Sequence, residues 1–347
     1  MVHGKNRGGA RVAKRPSLTV LAIAAGCAVV LASIGWYSVT RSVDLRVSVR
    51  SPVDDVDGVR AATQLMVTVR NTGAVVARPS FWVVWSPYPR MWTIESGPAT
   101  LSPGATGEYA IRSPLVSAAV PEGELFIVKV FDQVSGIYFR SETGRLNLTG
   151  SPPIANPDLQ YWSKVAPLGV FQPFGWSLAS KIEPGDSISV GPSNGTHGAR
   201  IVIYQDGNGS EPTLQYMNQA VRAGDVPVLR TTSLALCWRQ AFDFVTLPGT
   251  GYPLAAAGIE LSSGTRLAWL VLSNSQNATI DHPTMRIYSV MAQTAVPGCA
   301  ALPLADMIDY LGGTSLETLY FSCFAAIWPR PSLAGDHVFD ITGLAIF

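Results

Sequence analysis

The residues in this sequence best suited to chemistry are a carboxylate and the tryptophans near it. Gly258-Ile259-Glu260-Leu261 is followed closely by Arg266-Leu267-Ala268-Trp269, which sets Glu260 in a strand pattern with Trp269 nearby. An aromatic plane beside a few convergent polar groups is how small-ligand sites are built, and it suits a sugar ring. Trp238 joins these two as a candidate, and Trp162, Trp176 and Trp328 are further tryptophans in the same half of the chain. The competing reading is that all of them fill a core, since large aromatics are mostly buried. Glycoside hydrolysis uses two carboxylates at a fixed gap. Glu183, Asp186, Asp206, Glu211, Asp225, Asp243 and Glu260 are available, and their spacing selects no pair. No H-E-x-x-H, P-loop or C-x-x-C pattern occurs, and the four histidines (His3, His197, His282, His337) are scattered. The sequence therefore carries no catalytic signature.

Asp54-Asp55-x-Asp57-Gly58 offers oxygens that a hard cation such as calcium takes, though a solvated Asp/Gly turn is the favoured reading. Asp206-Gly207-Asn208-Gly209-Ser210-Glu211 reads as a turn. No other cofactor is implied. Of four cysteines, Cys27 sits in an apolar N-terminal run, so Cys237, Cys299 and Cys323 allow one internal disulfide and leave one thiol. Cys299–Cys323 is the expected pair and Cys237–Cys323 the second choice. Three small buried hydrophobes are the alternative. Asn147, Asn194, Asn208 and Asn277 head Asn-x-Ser/Thr sequons, which are glycan acceptors on the loops of a secreted body.

The elements that would position these residues begin with an anchor. Residues 17–39 (SLTVLAIAAGCAVVLASIGWYSV) carry no charge, and about 20 helical residues cross a bilayer core of ~30 Å. Trp36 and Tyr37 close the run where interfacial aromatics belong. Residues 1–16 form a basic tail with Lys5, Arg7, Arg11, Lys14 and Arg15, and the first acidic residue is Asp44. The positive flank stays in the cytoplasm, so the N-terminus is inside and the rest is outside the cell. Signal-peptide cleavage and a lipid-modified Cys27 are alternatives, and both also place the body outside. Removing the five tail charges from a net of +1 leaves the body at −4, a poor partner for nucleic acid.

The body is poor in charge (14%) and rich in Gly (32) and Pro (25) without a period, the composition of a turn-rich all-β chain. Residues 42–148 show seven short strands: Val43–Arg50, Leu65–Arg70, Phe81–Trp85, Trp92–Glu95, Gly107–Arg112, Leu125–Phe131 and Ile137–Arg140. Seven strands set off by Gly, Pro, Asn and Ser are the signal of an immunoglobulin-like β-sandwich. Alternation puts Phe81 and Trp85 on one face and Trp82 on the other. Val67-Thr68-Val69-Arg70-Asn71-Thr72-Gly73 and Leu101-Ser102-Pro103-Gly104 resemble the V-x-V-x-N-x-G and L-x-P-G motifs of the CARDB adhesion modules of bacterial and archaeal surface proteins. That resemblance implies a spacer or adhesion role.

Residues 149–158, with three prolines, read as a stiff linker. Residues 159–347 give more strands than a minimal sandwich needs, which points to a larger jelly-roll or lectin-like sandwich. Its expected strands are 187–190, 199–204, 234–238, 242–247, 257–261, 267–272, 285–291 and 337–347. One helix is expected at Leu304, Met307, Ile308 and Leu311, ended by Gly312-Gly313. The expected protein is a single-pass membrane protein with an all-β ectodomain that binds a cell-surface glycan or protein. An accessory subunit of a membrane complex and a surface glycoside-active enzyme are the alternatives. Protease added to intact cells is expected to remove everything beyond residue 41; protection of that bulk, with only the basic tail cut, would reverse the topology.

Overall fold

The structure is a computed structural model. It describes residues 23, 25–33, 42–50, 52–85, 90–140, 144–165, 170–193, 198–241, 245–246, 253–273, 277–292 and 296–346. The tail 1–16, most of the apolar run 17–39, Asn194, His197 and Asp243 lie outside these. Within the run, Ile23 and residues 25–33 are helical with exposed side chains. Among the described residues no helix is long and apolar enough to cross a membrane.

From residue 45 onward apolar residues alternate with polar ones, and the chain folds into two β-sandwiches. The first is built from β1 (Leu45–Val49), β2 (Gln64–Asn71), β3 (Pro79–Val84), β4 (Arg90–Ser96), β5 (Thr106–Arg112), β6 (Leu125–Asp132) and β7 (Tyr138–Arg140), in the order β1-β2-β5-β4-β3-β6-β7. These match the seven expected strands to within a few residues. Strand β4 pairs with β3 on one side and β5 on the other, with a bulge between Ile94 and Ser96. Strand β1, at one end of this order, also touches β6 and β7 at the other end, so the sheet folds back over a shared core. Leu65, Val67, Val69, Phe81, Val83, Tyr109, Ile111, Val128 and Val130 fill that core. Trp82 points outward at 39% exposure, while Trp85 packs against the core, as the alternation predicts.

The two short motifs of this half are physically joined. Asn71 donates from Nδ2 to the carbonyls of Val75 (2.7 Å) and Leu101 (2.9 Å), and its Oδ1 accepts from Gly73 N–H. Gly104 N–H donates to Asn71 O. A Cβ on Gly73 would lie 2.4 Å from Ser42 O, so the turn admits only glycine.

The segment expected as a linker is packed down. Ile154, Ala155 and Asn156 are buried, and so is Leu159 just beyond it. Asn156 N–H donates to Gly58 O (2.7 Å), and Tyr161 OH donates to Asp57 Oδ1 (2.9 Å), whose carboxylate also takes Arg112 and Thr63. Tyr161 and Phe174 pack on Val59, Ala61 and Ala119. Glu122 of the first sandwich pairs with Arg60 (3.6 Å) and with Arg222 of the second (2.6 Å).

The second sandwich contains β8 (Ser177–Lys181), β9 (Ser187–Pro192), β10 (Ala199–Gln205), β11 (Thr213–Val221), α1 (Val226–Thr231), β12 (Leu234–Gln240), β13 (Pro253–Ser262), β14 (Leu267–Ser273), β15 (Ala278–Asp281), β16 (Met285–Met291), β17 (Gly298–Ala301), α2 (Leu304–Leu311), β18 (Leu319–Ile327) and β19 (Gly335–Ile346). The larger sheet runs β8-β11-β18-β13-β14-β16-β15, with Val245–Thr246 pairing on β13. The smaller runs β9-β10-β19-β12-β17. Ile201, Ile203, Leu236, Trp238, Phe339 and Ile341 of the smaller sheet meet Met217, Ile259, Leu261, Leu270, Phe321 and Cys323 of the larger. Helix α2 forms at the expected place, its Leu304, Met307, Ile308 and Leu311 entering the same core, and Gly312 (φ +143°) ends it.

The disulfide is Cys237–Cys299, which corrects both expected pairings. Cys237 on β12 and Cys299 on β17 stand directly opposite one another, with Cα atoms 4.0 Å apart. Cys323 lies in the other sheet with its side chain inside the core, fully buried, where burial pushes its thiol pKa up. Replacing both Cys237 and Cys299 by Ser should lower the unfolding free energy by about 2–4 kcal/mol in urea titration. The denatured, unreduced parent chain should expose two thiols; a Cys299–Cys323 peptide in a disulfide map would refute the pairing.

Candidate functional site

The larger sheet buries both of its faces in part. On the side turned away from the smaller sheet, cross-strand register assembles one row of side chains: Asn218 (β11), Ser322 (β18), Glu260 (β13), Trp269 (β14) and Ile287 (β16). A flanking row runs Tyr216, Phe324, Gly258 and Val271, and another runs Ala220, Tyr320, Ser262, Leu267 and Met285. Because strand side chains alternate, these residues must share a face once the register is set.

This face has two halves. Trp269, Val271, Met285, Ile287 and Phe324 make a buried apolar cluster with Ala256 and Ala326, and Trp328 packs against it. The other half is polar and open. A groove of about 330 Å³ lies there, lined by Tyr216, Asn218, Glu260, Ser262, Leu267, Tyr320 and Ser322. In the flanking row, Gly258 (φ +159°) cannot be anything larger, because a Cβ would lie 1.9 Å from Leu270 O on the neighbouring strand.

Glu260 stands at the boundary between the halves and is 8% exposed. Trp269 Nε1 donates to Glu260 Oε2 at 2.7 Å, and the Tyr216 phenol also donates to this carboxyl group. Burial raises the Glu260 pKa above the ordinary glutamate value, and the two hydrogen bonds offset part of that rise. Burial, with the nearby Glu260 charge, holds the Tyr216 phenol firmly protonated. The aromatic rings are stacked behind the site: Trp269 lies 4.5 Å from Phe324 and 6.5 Å from Trp328, and Phe324 lies 6.1 Å from Tyr216, between ring centroids. Asn218 Oδ1 is buried and has no hydrogen-bond partner.

The structure brings together two of the three sequence candidates. Glu260 and Trp269 are register partners, but Trp269 is 5% exposed and acts as a donor to Glu260, so it offers no stacking platform. Trp238 belongs to the smaller sheet and is buried in the core, with Nε1 bonded to Val296 O, so it does not reach the site. Trp176 is also core, packed on Phe321. The carboxylates of Asp54, Asp55 and Asp57 do not converge. Asp54 takes Thr149, Asp55 takes the N–H groups of Val59 and Arg60, and Asp57 takes Arg112, Thr63 and Tyr161. Among the described residues no cluster of His, Cys, Asp and Glu is placed to hold a metal ion. Asn147, Asn208 and Asn277 are exposed.

Sequence reasoning missed Tyr216, Asn218, Ser262, Tyr320 and Ser322. The alternation in Thr213–Val221 was a usable signal for the first two. Within the groove lining Glu260 is the one carboxyl group, so among the described residues the paired carboxylates of a glycoside hydrolase are not assembled there.

No protein-family model and no curated protein matches the chain. Among solved structures it is similar to the xyloglucanase domain of NopAA, a type three effector from Sinorhizobium fredii, in complex with cellobiose. The identity is 8% and the TM-score 0.30, over 50% of this chain and 92% of that one. At that level the likeness assigns neither fold nor chemistry.

The raised Glu260 pKa has a consequence for stability. The folded chain holds this proton more tightly than the unfolded chain does, so the group's contribution is fully present below the unfolded value near 4.5. It is lost as pH rises through the raised value. Urea unfolding of the wild type and Glu260→Gln across a pH series should give a stability difference that is flat below about 4.5 and moves in favour of the variant above it. A difference that does not vary with pH would show that burial leaves this carboxyl group unshifted.

Proposed function

We propose that the chain is a membrane-anchored cell-surface protein whose second sandwich binds carbohydrate in the groove beside Glu260. The observation that carries this reading is the groove itself: one buried carboxyl group, an amide, two serine hydroxyls and two tyrosines converge on an open face of the larger sheet. Convergent polar groups with aromatic walls suit the alternating hydroxyl and C–H faces of a sugar. A single carboxyl group supports binding over hydrolysis.

Several features support the location. The helical residues of the N-terminal run expose Ile23, Val29, Val30 and Leu31 and pack on nothing described, which suits lipid as their solvent. The Cys237–Cys299 disulfide fits an oxidising compartment. The exposed sequon asparagines fit glycan acceptors. The first sandwich serves as an immunoglobulin-like, CARDB-like spacer and the second as a jelly-roll-type binding module.

Full-length protein purified in detergent should bind extended glycans on an array of cell-surface polysaccharides. Tyr320→Ala and Asn218→Ala should each weaken that binding by at least about fivefold, one hydrogen bond's worth. A blank array, with the disulfide and fold intact, would overturn the proposal.

A further inference from the structure

Among the described residues the groove holds a buried carboxyl group and supplies no cation. Both donors to Glu260, the Trp269 indole and the Tyr216 phenol, are neutral. Strand β11 faces the carboxyl group with Tyr216 and Asn218, β18 with Ser322 and Tyr320, and β14 with Trp269 and Leu267. Among the described residues the lining includes no Lys, Arg or His. A carboxylate taken from water without a counter-charge is costly, and folds normally pair it. Here it lies at the floor of an open groove, where a bound molecule can supply the missing charge.

The rest of the lining fits the same partner. Asn218 Oδ1 is a second buried acceptor with nothing bonded to it. Ser262, Ser322 and Tyr320 add hydroxyl oxygens. An ammonium group has three donors and no acceptor, so it matches a site with acceptors to spare. Tyr216 and Tyr320 belong to the two rows that flank Glu260 on this face.

We propose that the groove recognises a sugar bearing a free, protonated amine, such as a de-N-acetylated hexosamine unit within a polysaccharide. The ammonium lies against Glu260 and uses its remaining hydrogens on the hydroxyl oxygens of the lining, Ser262, Ser322 and Tyr320. N-acetylation would remove the charge and two of the three donors. The raised pKa of Glu260 agrees with this: without ligand the charged form is disfavoured, and an arriving ammonium restores it, releasing a proton from whatever fraction was protonated.

This inference rests on the carbohydrate reading above, and the test separates the two. Calorimetry with the full-length chain in detergent at pH 6.5 compares a chitosan tetrasaccharide, its fully N-acetylated form and cellotetraose. The free-amine sugar should bind at least about tenfold more tightly than the other two, as expected for a hydrogen bond to a charged group. Titrations in two buffers of different ionisation enthalpy should show a proton linkage that shifts toward uptake in Glu260→Gln, which has no carboxyl proton to release. Glu260→Gln should abolish the preference. Tyr320→Ala, at an exposed position, keeps the fold and should reduce free-amine binding several-fold. Equal binding of all three sugars, with no change in Glu260→Gln, overturns the ammonium assignment and leaves carbohydrate binding standing. Binding of none of them by the folded chain overturns both. Tetralysine binding as tightly as the chitosan oligomer would move the amine from a sugar to a peptide and also overturn the proposal.

Discussion

A carboxyl group removed from water must be held by something, and the hold on Glu260 determines what the larger sheet can do. Its two donors come from strands that are not neighbours: Trp269 from β14 beside it, and Tyr216 from β11, two strands away. Both reach Glu260 only if β11, β18, β13 and β14 keep their register. A slip of one residue would send every side chain of the slipped strand to the opposite face. It would place Glu260 in the sandwich core, where Ile259 and Leu261 now sit. The apolar cluster around Trp269 and Phe324 therefore serves the polar half beside it. It fixes the indole that donates to Glu260 and backs the ring of Tyr216.

Much of the fold was legible in the residues, and the exceptions have physical causes. Strands with one wet face announce themselves by alternation, and all seven of the first sandwich were found that way. Strand β18 was invisible because it is buried on both faces, with Leu319 and residues 321–327 all inside. A run such as Phe321-Ser322-Cys323-Phe324 has no period to read. Strand β11 does alternate, but its core-facing positions include Gln215 and Gln219, which looked polar. Those amides are buried because the backbone satisfies them: Gln215 donates to Ala179 O and Tyr216 O, and Gln219 bonds both polar groups of Ala155. Missing these two strands meant missing most of the groove. Glu260 and Trp269 were readable because they sit on strands already recognised.

The disulfide shows a different limit. Three cysteines in one domain allow three pairings, and separation along the chain does not rank them, because β12 and β17 are brought together only by the order of the smaller sheet. Trp238 was misplaced for a related reason. It lies on β12 with its ring in the core, where Gly298 across the strand pair leaves room for it: a Cβ there would come within 2.9 Å of the indole.

Strand β11 also connects the groove to the rest of the molecule. Its outward residues, Tyr216 and Asn218, line the site. Its inward Gln219 grips Ala155 in the segment between the sandwiches, one residue before Asn156 bonds to Gly58 of the first. Arg222, just past the strand's end, pairs with Glu122 of the first sandwich. The aromatic contact of Tyr161 and Phe174 with Val59, Ala61 and Ala119 seals the same junction. Ion pairs this exposed contribute little alone, so the hold comes from the buried amide, the backbone bonds and the apolar seal acting together. These contacts hold the larger sheet at a fixed attitude to the first sandwich. Routing that connection through the strand that carries a third of the groove's polar groups means that loosening the junction would also loosen the groove.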